Sequence, residues 1–192
     1  MIRHQAYKII AFILFIPAIF IFLILYVPVV AASRGSFFFK QKRIGKDEKP
    51  FTMYKIRTMQ ADAEYIKHTL LKKNQADGPV FKIKNDPRFT GIGRVLAQYG
   101  VDELPQIFNI IKGEMSFVGP RPLPVDEAKK IPQKYQIRQS VLPGITSLWV
   151  AKGSHSRLNF KEWMESDLEY IENNSLFEDM RIIILTIKGL LL

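Results

Sequence analysis

Two adjacent acidic residues are the feature of the sequence best suited to chemistry. Asp102 and Glu103 lie where a short helix is predicted to start near Asp102, run to Ile111 and end at Gly113. The positive end of a helix dipole favours ionised carboxylates, and a nucleophile or metal ligand must be ionised. Neighbouring helical residues point about 100° apart, so the two can take different roles. The competing interpretation is structural, with Asp102 as the N-cap and Glu103 in the first turn.

Several basic residues could neutralise a phosphorylated ligand. Lys55 and Arg57 alternate on one face of a predicted strand, and Arg121 stands between two prolines. Arg88 and Arg94 flank a glycine-containing turn. A diphosphate requires such donors, and arginine can bind it through two parallel hydrogen bonds. Each residue taken alone is also compatible with an ordinary surface charge.

Composition limits the classes of protein and partner. A chain of 192 residues suits one domain of ordinary size. It contains no cysteine, which excludes a disulfide framework and a thiolate metal site. The three histidines lack the spacing of metal ligands. A formal net charge of +10 indicates an anionic partner, which could be a nucleic acid, an anionic membrane face or a phosphorylated substrate.

The apolar N-terminus predicts a membrane environment. Residues 9–32 carry no charge and would span roughly 36 Å as a straight helix. A cleaved signal peptide, a transmembrane helix and a helix that enters the bilayer, kinks at Pro17 and returns all remain open. The apolar run is longer than is usual for a signal peptide. Basic residues flank both ends, whereas a simple span is expected to show charge asymmetry.

The remaining elements predict an α+β fold that is mostly helical. Residues 36–57 indicate a small β-hairpin near the membrane surface. Helices are predicted over 58–74, 91–99, 125–139 with an interruption at Pro132, and 159–173. Residues 176–192 are apolar but contain Arg181 and Lys188, so this helix is expected to lie on or under the membrane surface.

Beyond these features, the chain resembles the bacterial sugar transferases, the monotopic phosphoglycosyl transferases that initiate glycan assembly. The resemblance extends over nearly the whole chain, and the order and spacing of its motifs make it specific. These motifs are Phe38–Gly45, Tyr54–Met59, Asp102–Gln106 followed by Asn109, Lys112–Ser116, Val118–Pro122 and Pro143–Thr146.

The resemblance implies a particular membrane arrangement. Residues 1–35 would form a re-entrant membrane helix broken at Pro17. Residues 36–192 would form a cytoplasmic catalytic domain, a helical core with interfacial helices packed on the membrane face. The protein would therefore act at the cytoplasmic face of the bacterial inner membrane. A homodimer is left open.

The resemblance also implies a reaction. Asp102 would attack the sugar-bearing phosphorus of a UDP-sugar, expected to be a UDP-hexose, and UMP would leave. Polyprenyl (undecaprenyl) phosphate would then take the phosphosugar from Asp102 and start a glycan such as an exopolysaccharide or lipopolysaccharide. Glu103 would help to hold Mg²⁺, while Lys55, Arg57 and Arg121 match phosphate-contacting positions.

Some positions depart from the pattern of the family. Ala97 stands where the family usually has a basic residue, and Arg94, about one helical turn earlier, could replace it. The stretch Trp149–Arg157 also differs and is expected to bear on the choice of sugar.

Two other hypotheses follow from the sequence. Ala97 motivates a catalytically impaired membrane scaffold of the same fold. The charge of +10 motivates a membrane-tethered nucleic-acid binder, which would need basic residues interleaved with exposed aromatics along a groove. Only the hairpin has that pattern, and membrane apposition explains it equally well, so no nucleic acid is expected as a partner.

Overall fold

The computed structural model describes residues 2–153 and 159–191. The predicted mixture of many helices and little β-structure is confirmed. In chain order the elements are α1 Ile2–Ser33, β1 Phe38–Ile44, β2 Pro50–Ile56, α2 Ala63–Leu70, α3 Gly91–Gln98, α4 Gln106–Lys112, β3 Ser116–Val118, α5 Val125–Ala128, β4 Gly144–Thr146, α6 Leu148–Ala151, α7 Phe160–Glu172 and α8 Leu176–Leu191.

Helix α1 packs on the rest of the protein along one narrow stripe. The stripe recurs every three or four residues, as one face of a helix must, and the surface on either side of it is exposed and apolar. By length and composition α1 could cross a membrane. In the structure the helix continues through Pro17 and Pro28 without a break. The break at Pro17 that a re-entrant helix in a bilayer implies stays a prediction. The covered stripe residues are Tyr7, Ala11, Phe15, Ala18, Phe22, Leu25 and Val29.

The predicted hairpin is confirmed, with β1 and β2 antiparallel and in register from Phe38 opposite Ile56 to Ile44 opposite Pro50. Its aromatic base packs on α1, where the ring of Phe22 lies edge-on to Phe37 and Phe38 at centroid distances of 6.1 and 5.5 Å. The hairpin is thereby fixed against the apolar helix.

Asn109 locks α4 onto β2. It is fully buried, its Nδ2 donates to the Thr52 carbonyl at 2.7 Å, and its Oδ1 accepts from the Tyr54 amide at 3.3 Å. Nδ2 also donates to Glu114. An amide side chain that satisfies backbone groups of a neighbouring strand fixes the two elements relative to each other. The segment before α4 therefore has a defined position relative to Lys55 on β2.

A short parallel pair of strands was not predicted. Ser116 and Val118 of β3 pair with Gly144 and Thr146 of β4, in segments where the sequence predicted no strand. Three-residue strands are too short to show an alternating pattern, and their pairing is decided by tertiary contact. The pairing places the turn that carries Arg121 beside the loop that leads into α6.

Helix α2 begins later than predicted. The sequence indicated a helix over 58–74, whereas α2 spans Ala63–Leu70 and continues as a 3₁₀ turn. The first residues are held in an extended conformation because the Thr58 carbonyl accepts from the Thr90 amide at 3.0 Å and Met59 forms a β-bridge with Phe89. Helix α3 then starts against this segment.

The last two helices follow the prediction. Asn159 caps α7 by accepting from the Glu162 amide at 3.1 Å. Helix α8 buries Asp179, whose carboxylate accepts from the hydroxyls of Tyr7 and Tyr170 at 2.7 Å each. This network joins α1, α7 and α8. The opposite side of α8 exposes apolar residues such as Phe177, and its location at a membrane surface stays a prediction.

Candidate active site

The acidic pair lies in a tight turn between two helices. Gly100 adopts a left-handed conformation with φ 68° and ends α3, as the sequence indicated. Asp102 and Glu103 occupy a 3₁₀ turn, and α4 begins only at Gln106. The N-cap positions of the turn and of α4 are Gly100 and Pro105, and neither cap involves a side-chain hydrogen bond. The structural interpretation of Asp102 as an N-cap is therefore wrong.

Lys55 lies between the two carboxylates. Its Nζ is 3.2 Å from Asp102 Oδ2 and 2.7 Å from Glu103 Oε1. Arg121 donates to the same Glu103 oxygen at 3.0 Å. Asp102 is only 5% exposed. The structure thus brings together four of the residues singled out from the sequence, from three separate parts of the chain.

The two carboxyl groups titrate differently. Burial raises the pKa of Asp102 above its usual range; Lys55 opposes the rise and the charge of Glu103 adds to it. Burial alone would also raise the pKa of Glu103, but Lys55 and Arg121 outweigh it and hold that pKa well below its usual range. The ion pairs with Lys55 and Arg121 thus oppose the effect of burial on both carboxyl groups. Both carboxylates are largely removed from water, but Asp102 contacts one cation and Glu103 contacts two. Asp102 therefore has the less compensated charge, as suits a nucleophile.

The carboxylates line a cleft of about 760 Å³, within the size range of small-molecule sites. Its walls come from the hairpin, α2, the loop over residues 76–89, and helices α5 to α8. Aromatic side chains contribute alongside the charged ones, among them Phe81, Trp149 and Trp163. The cleft therefore offers both phosphate-binding cations and apolar surface to one ligand.

Two predicted cations stand apart from the carboxylates. Arg57 lines the cleft but donates to the carbonyl and hydroxyl oxygens of Ser36 at 2.7 and 2.8 Å. Arg94 is exposed on α3 and is not among the cleft-lining residues. Ala97 does line the cleft. Arg94 therefore does not occupy the place of the basic residue that Ala97 replaces.

Sequence reasoning did not assign Arg43 and Arg138 to the site. Arg43 lines the cleft, and its Nη1 donates to the Pro122 carbonyl at 2.6 Å. Arg138 is buried in an ion pair with Asp167 at 2.7 Å and donates to the Arg121 carbonyl at 2.8 Å. Strand alternation could have indicated that Arg43 shares a face with Gln41, whereas no local pattern marks Arg138.

The carboxylate oxygens of Asp102 and Glu103 fit a magnesium site in which the substrate supplies the remaining ligands. Asp102 Oδ1 and Glu103 Oε2 have no hydrogen bond or ion pair within the described residues. Over the same residues no group of three or more acidic, histidine or cysteine side chains could hold a metal alone. Mg²⁺ is usually bound through one or two carboxylates together with substrate phosphates and water. The acidic pair provides that number of carboxylates.

The sequence of the chain matches the model of the bacterial sugar transferases over residues 2–192. The chain belongs to the bacterial sugar transferase family. Membership agrees with the predicted resemblance, and the family is one of transferases. The buried acidic pair and its cations are the feature of this sugar transferase most suited to catalysis.

Three relatives illustrate the similarity. The galactosyl transferase CpsE of Streptococcus agalactiae serotype III is 43% identical over 166 residues, 86% of this chain and 37% of that protein. The undecaprenyl-phosphate galactose phosphotransferase of Salmonella typhimurium is 34% identical, over 84% of this chain and 35% of that protein. The UDP-glucose:undecaprenyl-phosphate glucose-1-phosphate transferase of Klebsiella pneumoniae is 37% identical, over 88% and 36%. This sugar transferase spans little more than a third of their length.

Proposed function

We propose that the protein transfers a sugar-1-phosphate from a UDP-sugar to polyprenyl phosphate through a covalent intermediate on Asp102. A carboxylate oxygen of Asp102 forms a bond to the sugar-bearing phosphorus, and the bond from that phosphorus to the UMP oxygen breaks. UMP leaves with the electron pair. An oxygen of polyprenyl phosphate then forms a bond to the same phosphorus, and the bond to Asp102 breaks. The carboxylate is regenerated, and the product is a polyprenyl diphosphate-linked sugar.

The observation that carries this proposal is the environment of Asp102. A carboxylate that is 5% exposed, 3.2 Å from the Lys55 ammonium and at the wall of a large cleft is poorly solvated yet able to ionise. A nucleophile of this kind divides one difficult displacement into two easier ones. The names of the relatives from Salmonella typhimurium and Klebsiella pneumoniae, which include transfer to undecaprenyl phosphate, support the same reaction.

The neighbouring residues supply charge. Lys55 favours the ionised form of Asp102, and Arg121, which also lines the cleft, donates to Glu103. Fixed cations at the place where negative charge develops stabilise a transition state without reorganisation. Arg57 would contact phosphate through the N–H groups that its two hydrogen bonds to Ser36 leave available. Glu103, with Asp102, would hold Mg²⁺, which would supply a Lewis acid to the diphosphate.

The contacts of helix α1 favour a membrane helix that has both ends on the same face. Tyr7 packs with α4 and Val29 packs with the hairpin and α3, and these two residues lie about 33 Å apart along the axis. A bilayer core is about 30 Å thick. If α1 crossed it, only one end could contact the catalytic body, so contacts at both ends favour an arrangement on one face, which we propose is the cytoplasmic face.

Single cysteines test this arrangement, because the chain has none. Cysteines at the exposed positions Gln5 and Lys42 are expected to react with a membrane-impermeant maleimide from the cytoplasmic side only. Labelling of the two positions from opposite sides would show that α1 spans the membrane.

The nucleophile is tested by trapping the intermediate. The protein is incubated with a UDP-sugar labelled in the sugar-linked phosphate, quenched and digested, and the peptide containing Asp102 is expected to gain the mass of a phosphosugar. Asp102→Asn should lose both the adduct and UMP release, while Asp126→Asn, at an exposed acidic position outside the cleft, should retain both. Full activity of Asp102→Asn would exclude the assignment.

A panel of UDP-sugars addresses the donor, for which we propose a UDP-hexose. The segment Trp149–Arg157 was predicted to bear on sugar choice; Trp149–Ala151 and Gly153 line the cleft, and residues 154–158, which include His155, lie outside the described residues. A homodimer, and the absence of nucleic-acid binding, stay predictions.

The second candidate is a non-catalytic scaffold, which the presence of Ala97 in the cleft favours. It predicts that no UDP-sugar releases UMP and that Asp102→Asn preserves function in the cell. If the enzyme is active but impaired by this position, Ala97→Arg should increase UMP release. If Ala97→Arg releases UMP no faster than the parent protein, the site does not need a basic residue at this position.

A further inference from the structure

Arg43 is a basic residue of the cleft whose hydrogen bonds go to neutral acceptors. Its Nε donates to Gln41 Oε1 at 2.9 Å and its Nη1 to the Pro122 carbonyl at 2.6 Å. Among the described residues it forms no ion pair. By contrast Lys55, Arg88 and Arg121, which also line the cleft, each have a carboxylate oxygen within 3.0 Å.

A cation in this position is unfavourable without an anion. Burial, together with the charge of Arg121, lowers the pKa of Arg43 to about 10, and the carboxylates of Glu127, Glu103 and Glu64, none of them in an ion pair with Arg43, offset only part of the fall. The guanidinium therefore remains protonated at neutral pH. Removing a charge from water without pairing it costs free energy. A phosphate offsets that cost, because it can accept two parallel hydrogen bonds from a guanidinium group.

The position of Arg43 relates it to the nucleophile. Its bond to the Pro122 carbonyl anchors it next to Arg121 in the chain, and Arg121 contacts Glu103, which shares Lys55 with Asp102. Two guanidinium groups therefore stand on one wall of the cleft, next to the acidic pair. We infer that Arg43 and Arg121 form a phosphate subsite that receives first the phosphate of the departing UMP and then the phosphate of the incoming polyprenyl lipid. This inference rests on the proposed function.

The chemistry of the two steps requires one subsite for both. In a phosphoryl transfer the attacking and leaving oxygens are roughly in line through phosphorus. If Asp102 attacks from one side, UMP leaves on the opposite side. In the second step the bond from phosphorus to Asp102 breaks, so the attacking oxygen must approach from the side opposite Asp102. The lipid phosphate must therefore enter where UMP departed. A cation that stabilises the first anion then also stabilises the second.

Binding measurements on the full-length chain in detergent test the inference. The probes are UMP with Mg²⁺ present and farnesyl phosphate as a short lipid phosphate. Arg43→Gln is expected to raise the Kd of both probes by about 10- to 100-fold, the usual effect of losing a charge-assisted hydrogen bond. Lys42→Gln is the matched control, because Lys42 is the next residue on β1, is exposed and does not line the cleft. It should change neither Kd by more than about twofold.

The dependence of Kd on salt separates ligand contact from a purely structural role. If Arg43 contacts the phosphate, Arg43→Gln should make the Kd of both probes less sensitive to salt, and Arg43→Lys should restore part of that sensitivity even if Arg43→Gln folds poorly. Weaker binding with an unchanged salt dependence would mean that Arg43 acts only by holding the Pro122 backbone, and would overturn the inference.

Other outcomes are equally decisive. Unchanged Kd values for Arg43→Gln would refute the subsite, and an effect on one probe alone, or simultaneous binding of both, would refute its shared use. A wild-type protein that binds both probes in competition yet forms no adduct on Asp102 would refute the proposed reaction while leaving the subsite intact.

Discussion

Lys55→Met removes the cation that holds the two carboxylates of the site together. In the wild-type protein the ammonium group contacts Asp102 at 3.2 Å and Glu103 at 2.7 Å. Without it, Asp102 lies beside Glu103 with no basic partner within hydrogen-bonding distance in the described part of the chain, whereas Glu103 keeps Arg121 at 3.0 Å. The variant therefore isolates the dependence of Asp102 on a single cation.

The magnitude follows from burial. The side chains of Lys55 and Asp102 are 16% and 7% exposed, and removing one partner of such a pair destabilises a protein by about 3–5 kcal/mol. Because Glu103 remains paired, we expect the lower end, about 3 kcal/mol. In a chain of this size each kcal/mol shifts the Tm by about 2–4 °C, so Lys55→Met should lower the Tm by about 6–12 °C.

The sign of the pH dependence follows from the raised pKa of Asp102. A carboxyl group whose folded-state pKa lies above its unfolded value of 3.8 stabilises the fold while protonated, and that contribution is lost as the pH rises through the folded pKa. Lys55 opposes this loss, so the deficit of Lys55→Met should grow as the pH rises. The acid limb of UMP release should also move to higher pH, because more of the nucleophile is protonated.

Thermal unfolding in detergent at about pH 5 and pH 7 checks the argument, with Lys55→Arg as the variant that keeps the charge. The double variant Lys55→Met/Asp102→Asn should regain most of the lost stability, because it no longer contains the unpaired carboxylate. A deficit that is the same at both pH values and persists in the double variant would refute the reasoning.

Three further predictions concern the elements that position the site. Gly93→Ala should destabilise the protein by more than about 2 kcal/mol, because a Cβ there would lie 1.9 Å from the Thr58 backbone oxygen. Thermal unfolding measures the loss. Gly91→Ala is the control, because a Cβ at that position would meet nothing within 4 Å. Asn109→Ala should lower the free energy of unfolding by about 2–4 kcal/mol, measured by denaturant titration, since buried backbone groups lose their partners; a loss below about 1 kcal/mol would contradict this. Arg138→Met should cost about 3–5 kcal/mol because Asp167 would remain buried and unpaired, and adding Asp167→Asn should recover much of it in the same titration.

Much of the fold was predictable because it depends on neighbours in sequence. The apolar run of α1, the alternation in the hairpin and the glycines at 100 and 113 each act within a few residues of where they stand. The helix over 58–74 was predicted too early because Thr58 and Met59 pair with residues near Phe89. The spacing of residues within a segment gives no information about a pairing partner as far as 32 residues away in the chain.

The sequence by itself determined which residues are able to do chemistry, since an adjacent Asp102 and Glu103 and a set of arginines are properties of residue type and order. Only the tertiary structure decided their roles. Lys55 and Asp102 are 47 residues apart, and Glu103 and Arg121 are 18 apart, so no local pattern fixes which cation meets which carboxylate. The packing of α4 on β2 places Lys55 beside both carboxylates, and Arg121 reaches only Glu103, so Asp102 has the less compensated charge of the two. The tertiary structure also leaves Arg94 exposed on α3 and places Arg43 of β1 at the cleft without an ion-pair partner among the residues described.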